Sequence, residues 1–131
     1  MSRYFTLEQA QELVPWLTEI FREVEPVRER LATLGREIED LEGRMRSNGG
    51  VKATERMAAV KGEMQEASGL LAERVESITV RGIVVKGVAR GLVDFSSLRD
   101  DREVYLCWIE GETEIAFWHE IDAGFAGRQP L

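Results

Sequence analysis

LVPWLTEIFREVEPVRERLATLGREIEDLEGRM, residues 13–45, decides the architecture. Its apolar residues fall at Leu13, Leu17, Ile20, Val24, Val27, Leu31, Leu34, Ile38, Leu41 and Met45, in steps of four and three without a miss. That is the heptad seam of a helix packed along its length on a partner. Two prolines interrupt it. Pro15 suits the first turn of a second helical segment, where a missing N–H is harmless. Pro26 removes an interior hydrogen bond, at roughly 3 kcal/mol in an isolated helix. The seam keeps phase through it, so a kink is expected and not a stop. Upstream, Thr6 followed by Gln9 supplies a capping-box start.

Downstream, RSNGG (46–50) breaks the helix, its glycines suiting a left-handed cap and turn. A second seam follows at Ala53, Met57, Val60, Met64, Ala67, Leu71, Val75 and Ile78. A loop this short makes the two helices antiparallel. Beyond Gly82 the period changes to two. GLVDF (91–95), EVYLCWI (103–109) and TEIAFWH (113–119) are β-branched and aromatic runs, hence strands. EGE (110–112) reads as a tight hairpin. A two-residue loop there puts Val104, Leu106 and Trp108 on one face with Ile115, Phe117 and His119. The other face then carries Tyr105, Cys107 and Ile109 with Glu114, Ala116 and Trp118.

Both faces are largely apolar, and a small sheet cannot leave both wet. One should lie on the helices. The other needs the tail, through Phe125 and Leu131, or a second subunit; a homodimer through that face or the arm's flank is expected. The fold class is therefore α+β: a long kinked antiparallel helical hairpin, coiled-coil-like, then a small antiparallel sheet and an ordered C-terminal tail. One domain is expected over 1–131, with the arm at 1–81, the sheet at 82–119 and the lid at 120–131.

The 131 residues, 44% hydrophobic and 31% charged, fit one globular core and not a disordered chain. No apolar run approaches the ~20 residues of a membrane-spanning helix. MSRYFTLEQAQ has no basic stretch followed by an apolar block, so no secretory leader is expected. The lone Cys107 excludes an internal disulfide and fits a reducing, cytoplasmic setting. A net charge of −7 argues against a surface that grips nucleic acid throughout. Against it stands a positive island at 44–56, where Arg44, Arg46, Lys52 and Arg56 face Glu55 alone. Arg44 and Arg46 complement a helix C-terminus. Lys52 and Arg56 sit early in the second helix, where that logic reverses, so an anionic partner at the tip is a second expectation.

TLEQAQELVP, GLVDF, EVYLCW, GETEI and above all WHEIDAGFAGRQPL resemble a family of small prokaryotic proteins catalogued as domain of unknown function 2203. The resemblance implies a bacterial, cytosolic, single-domain protein, and implies no activity. Its most recognisable positions on this chain are Asp94, Trp108, Trp118, His119, Glu120, Gly124, Phe125, Gly127 and Arg128.

Read for chemistry, HEIDA (119–123) begins like a zinc-protease helix but lacks the second histidine, and no other histidine exists. No metal and no cofactor is expected. Asp94, Glu120 and Asp122, with Asp100 or Asp101, offer oxygen ligands to magnesium or manganese; the bland reading makes Asp100 and Asp101 turn residues and has Glu120 and Asp122 pair with Arg128 or cap the tail's turns. A buried pairing of Arg128 with Asp122 or Asp94 is expected to keep the tail ordered. A Cys107–His119 dyad is disfavoured because the expected register turns them to opposite faces. There is no nucleophile elbow and no phosphate-cradling glycine loop. The leading reading is a non-enzymatic interaction module. The alternative is a ligand or divalent-metal site under the lid, from Asp94, Trp108, Trp118, His119, Glu120, Asp122 and Arg128.

Overall fold

Thr6 opens the first helix by exchanging two hydrogen bonds with Gln9. Its hydroxyl accepts from the Gln9 N–H, and the Gln9 side chain accepts from the Thr6 N–H, which satisfies two donors a helix start leaves over. The computed structural model in which this is seen describes residues 3–48 and 50–131, with the backbone alone for Asn48. Helix α1 (Leu7–Glu12) is followed at Leu13 by α2 (Val14–Asn48), with Pro15 in its first turn and Pro26 inside it. The helix runs on through Pro26, as the unbroken seam requires. Helix α3 (Val51–Thr79) then packs against α2 as a hairpin. Gly49, one of the two glycines expected to make that turn, lies outside the described residues.

The chain divides into two compact units, one of the residues up to Arg22 together with Val75–Leu131, the other Glu23–Arg74. The second unit is the helical hairpin proper. Leu34, Leu41, Met57 and Val60 are buried between its helices, flanked by Ile38, Met45, Ala53 and Met64. Every one of these belongs to the two heptad seams. Charged pairs join the helices at the rim: Arg56 with Glu37, Arg30 with Glu63, Arg74 with Glu23.

The first unit holds a five-stranded antiparallel sheet in sequence order: β1 (Val84–Gly87), β2 (Leu92–Arg99), β3 (Arg102–Ile109), β4 (Phe117–Glu120) and β5 (Gln129–Pro130). Asp100 and Asp101 join β2 to β3 with φ of 51° and 63°, the paired positive values of a two-residue hairpin turn. They are turn residues, as the bland reading had it. One face of the sheet buries Val93, Phe95, Val104, Leu106 and Trp108. Phe5 meets Phe95 edge-on at 5.2 Å, and Phe21 of α2 lies 6.1 Å from Trp108. Pairing of β1 with β2 reaches only to Asp94. Just beyond, Phe5 donates its N–H to the Ser96 carbonyl, and the Ser97 hydroxyl donates to the Phe5 carbonyl.

Between β3 and β4 the structure corrects the expected hairpin. There is no two-residue turn, and residues 113–116 are not strand. The Glu112 carboxylate accepts from the Ile109 N–H at 2.9 Å, and its carbonyl accepts from the Trp108 indole N–H at 2.9 Å. Gln11 of α1 accepts from the Ile115 N–H at 2.7 Å. Side chains thus replace the ladder here, and the buried Ile115 holds the loop in. The longer connection reverses parity. Leu106 faces Trp118, Cys107 faces Phe117, and Tyr105 faces His119, so His119 shares a face with Cys107 while Trp118 shares one with Trp108.

That second face is covered by the chain itself. Strand β5 pairs Trp118 with Gln129 and Phe117 with Pro130, and the Leu131 N–H reaches the Ala116 carbonyl. A short 3₁₀ turn (Phe125–Gly127) brings Phe125 and Arg128 over the sheet. Of the two tail residues expected to cover it, Phe125 does so, while Leu131 is 46% exposed. A dimer formed to cover this face therefore loses its reason. Among the described residues no helix is long and apolar enough to cross a membrane.

Candidate functional site

Asp94, Cys107 and His119 meet at the centre of the covered face. They come from three adjacent strands, with Asp94 directly opposite Cys107 and His119 opposite Tyr105, two residues along on the same face. All three are buried, at 2%, 0% and 1% exposure. His119 Nε2 lies 3.1 Å from each Asp94 carboxylate oxygen. Its Nδ1 lies 2.8 Å from the Glu120 carbonyl. A carbonyl only accepts, so Nδ1 carries a hydrogen, and one further hydrogen is held between Nε2 and the carboxylate. Both imidazole nitrogens are engaged. The Tyr105 ring lies beside the imidazole at 5.5 Å.

Burial, followed by the charge of the Asp94 carboxylate beside it, pushes the Cys107 thiol up to about 12. The cysteine is therefore a thiol at neutral pH, the opposite of an activated nucleophile. The expectation that Cys107 and His119 lie on opposite faces is overturned, yet a catalytic dyad is not what their meeting makes, because His119 turns its Nε2 to Asp94.

Arg128 lies near the same cluster without joining it. One amino group donates to both Glu112 oxygens, at 2.8 and 2.9 Å, and to the Cys107 carbonyl at 3.4 Å. Its guanidinium is sandwiched at 4.1 Å from the Phe117 ring centre and 4.7 Å from that of Phe125. The expected partners, Asp94 and Asp122, are not the ones it takes. Glu120 points to the other face and binds Arg102 at 2.6 Å, while Asp122 is exposed. The three carboxylates weighed for magnesium are thus dispersed. Trp108 and Trp118 lie across the sheet, Trp108 in the core and Trp118 under the Arg99 guanidinium. Of the seven residues expected at one ligand site, Asp94 and His119 are the pair whose side chains hydrogen-bond to each other.

Sequence reasoning missed Glu112 altogether and missed Cys107 as a member of the cluster. A signal for the cluster exists: an aspartate alternating with Val93 and Phe95 in a buried strand needs a partner, and the chain has one histidine.

The family model for an uncharacterized conserved protein, DUF2203, matches residues 3–131. The chain belongs to that family. No curated protein and no solved structure matches the chain. Family membership assigns no activity, so the reading of function rests on this chain's own geometry.

At the hairpin tip the four basic residues are mostly answered. Arg44 pairs with Asp40 at 3.1 Å and Arg46 with Glu42 at 4.0 Å. Arg56 grips Glu37 by two bonds, at 2.7 and 3.2 Å, which holds that carboxyl below its usual range and raises the guanidinium. Lys52 and Arg44 line a shallow hollow of about 280 Å³ with Ser47, Gly50 and Ala53.

Proposed function

We propose that this chain is a non-enzymatic interaction module that self-associates through the outward face of α3. The observation that carries the reading is a pair of glycines. Gly62 and Gly69 lie one heptad apart on the face of α3 turned away from its seam, and a Cβ at either would meet nothing within 4 Å. Each destabilises a helix interior by about 1 kcal/mol relative to alanine, and no neighbour within the chain requires the small side chain. Exposed Ala58 and Ala72 extend the row, with the flexible Gln65 between the two glycines. Such a row lets another helix bring its backbone close. The sealing of Asp94, Cys107 and His119 supports the non-enzymatic part, since no solvent-borne substrate meets them.

The test is sedimentation of the full chain beside Gly62→Arg and Gly69→Arg. Arginine is a better helix former than glycine, so both variants keep their helical content. The wild type is expected to sediment as a dimer and the variants as monomers. A wild-type monomer across the micromolar range ends the reading.

An anionic partner at the tip is the second reading, supported by the hollow beside Lys52. Exposed pairs such as Arg44–Asp40 contribute only about 0–1 kcal/mol, so a phosphate can displace the carboxylate. Four phosphate contacts require log K to fall with log salt at a slope of about −3. Neutralising Arg44, Arg46, Lys52 and Arg56 together should abolish binding to RNA; a flat salt response removes the idea.

A further inference from the structure

We propose that Asp94, Cys107 and His119 are the three protein ligands of a zinc-class divalent cation. Their ligand atoms all lie within 4.8 Å of one another. Bonds of roughly 2.0–2.3 Å to a tetrahedral ion set its ligands roughly 3.3–3.8 Å apart, so the trio needs only small side-chain adjustments. His119 is already oriented as a metal-binding imidazole is: the nitrogen away from the cluster donates to the Glu120 carbonyl, which fixes the tautomer and turns Nε2 inward. All three ligands stand on hydrogen-bonded strands, the most rigid support a site can have.

The donor set selects the ion. A thiolate with an imidazole and one carboxylate is a borderline-soft set that suits zinc or cobalt and discriminates against magnesium and calcium. The charge also balances. Two anionic ligands and a neutral imidazole offset a dication, leaving the buried cluster uncharged. Binding exchanges one M²⁺ for two protons, the thiol hydrogen and the hydrogen held between Nε2 and the Asp94 carboxylate; the Nδ1 hydrogen stays. Among the described residues no fourth such ligand joins the trio, so the remaining coordination position falls to water. A buried polar trio beside Leu92, Phe117 and Ile109 is also an expensive way to fill a core, and a metal gives it a reason.

Cobalt(II) alone is the probe, added to the untagged full chain both in its native state and during refolding from denaturant. The expected result is a near-ultraviolet thiolate-to-cobalt band that saturates at one equivalent, releases two protons per metal, and disappears when zinc is added but not magnesium. Cys107 is the only thiol in the sequence, so the wild-type band alone identifies that ligand even where Cys107→Ser does not fold. His119→Gln and Asp94→Asn should each weaken cobalt binding at least tenfold. Absence of the band in both preparations, pale octahedral cobalt spectra without it, or unchanged affinity in either variant overturns the site and leaves a hydrogen-bonded core trio.

Discussion

Arg128 holds both carboxylate oxygens of Glu112 through one amino group, and this pair fastens the tail to the loop that sets the parity of β4. Glu112 simultaneously accepts from the Ile109 N–H, so one carboxylate serves the end of β3 and the lid together. Their side chains are only 14% and 22% exposed.

Removing either partner should therefore do more than an exposed ion pair allows. Arg128→Ala is expected to destabilise the fold by about 2–4 kcal/mol, because it strands a partly buried carboxylate and opens the Phe117–Phe125 sandwich. Arg128→Lys should recover little, since an ammonium does not stack between the Phe117 and Phe125 rings as a guanidinium does. Denaturant unfolding measures both. Amide exchange in residues 121–131 should rise in the variants; a tail that already exchanges as free peptide in the wild type refutes the latch.

The Asp94–His119 pair makes a non-additive prediction. Asp94→Leu leaves an imidazole nitrogen unpaired, and His119→Leu leaves a buried carboxylate with only the Cys107 thiol as a partner, so each should cost about 3–5 kcal/mol. The double change removes both needs and should cost less than the sum. A double-mutant cycle with additive energies contradicts the pairing.

Cys107 supplies the pH prediction for the metal-free protein. With its thiol raised from 9.0 to about 12, the folded and unfolded chains both carry the proton below pH 9. Between pH 9 and 12 the unfolded chain loses it and the folded chain keeps it. Stability therefore falls as pH rises through that window, by up to about 1.4 kcal/mol per pH unit. Cys107→Val should lack this component when the two denaturation series are subtracted. Native Cys107 should resist alkylation at neutral pH and react fully in denaturant.

Two glycines should respond to alanine with opposite signs. Gly91 sits at φ 65°, and a Cβ there would lie 2.6 Å from the Glu110 Cβ. Gly91→Ala should destabilise by about 2 kcal/mol or more through strain and collision. Gly62→Ala meets open space on a helix and should stabilise the monomer by up to about 1 kcal/mol. Thermal melts of the two variants settle the signs.

The helical half was legible because its information is local. Leu34, Leu41, Met57 and Val60 were placed in the hairpin core by their spacing alone, and Thr6 with Gln9 announced the first cap. A helix has one period, and a face named at Leu13 predicts the face at Met45. The candidate site was legible only by composition: Asp94 and His119 stood out, but not as partners, and His119 was expected on the face opposite Cys107.

The reason lies in residues 110–116. Strand parity is binary, so an error in one loop moves every side chain of the next strand to the opposite face. That loop is shaped by contacts distant in the chain, from Gln11 at one end and Arg128 at the other. The sequence by itself determined the two long helices, their seam and the change to strand beyond Gly82, all of which follow from nearest-neighbour periodicity. Only the tertiary structure decided which face His119 occupies, and with it the meeting of Asp94, Cys107 and His119, because long-range side-chain hydrogen bonds rather than local preference set that register.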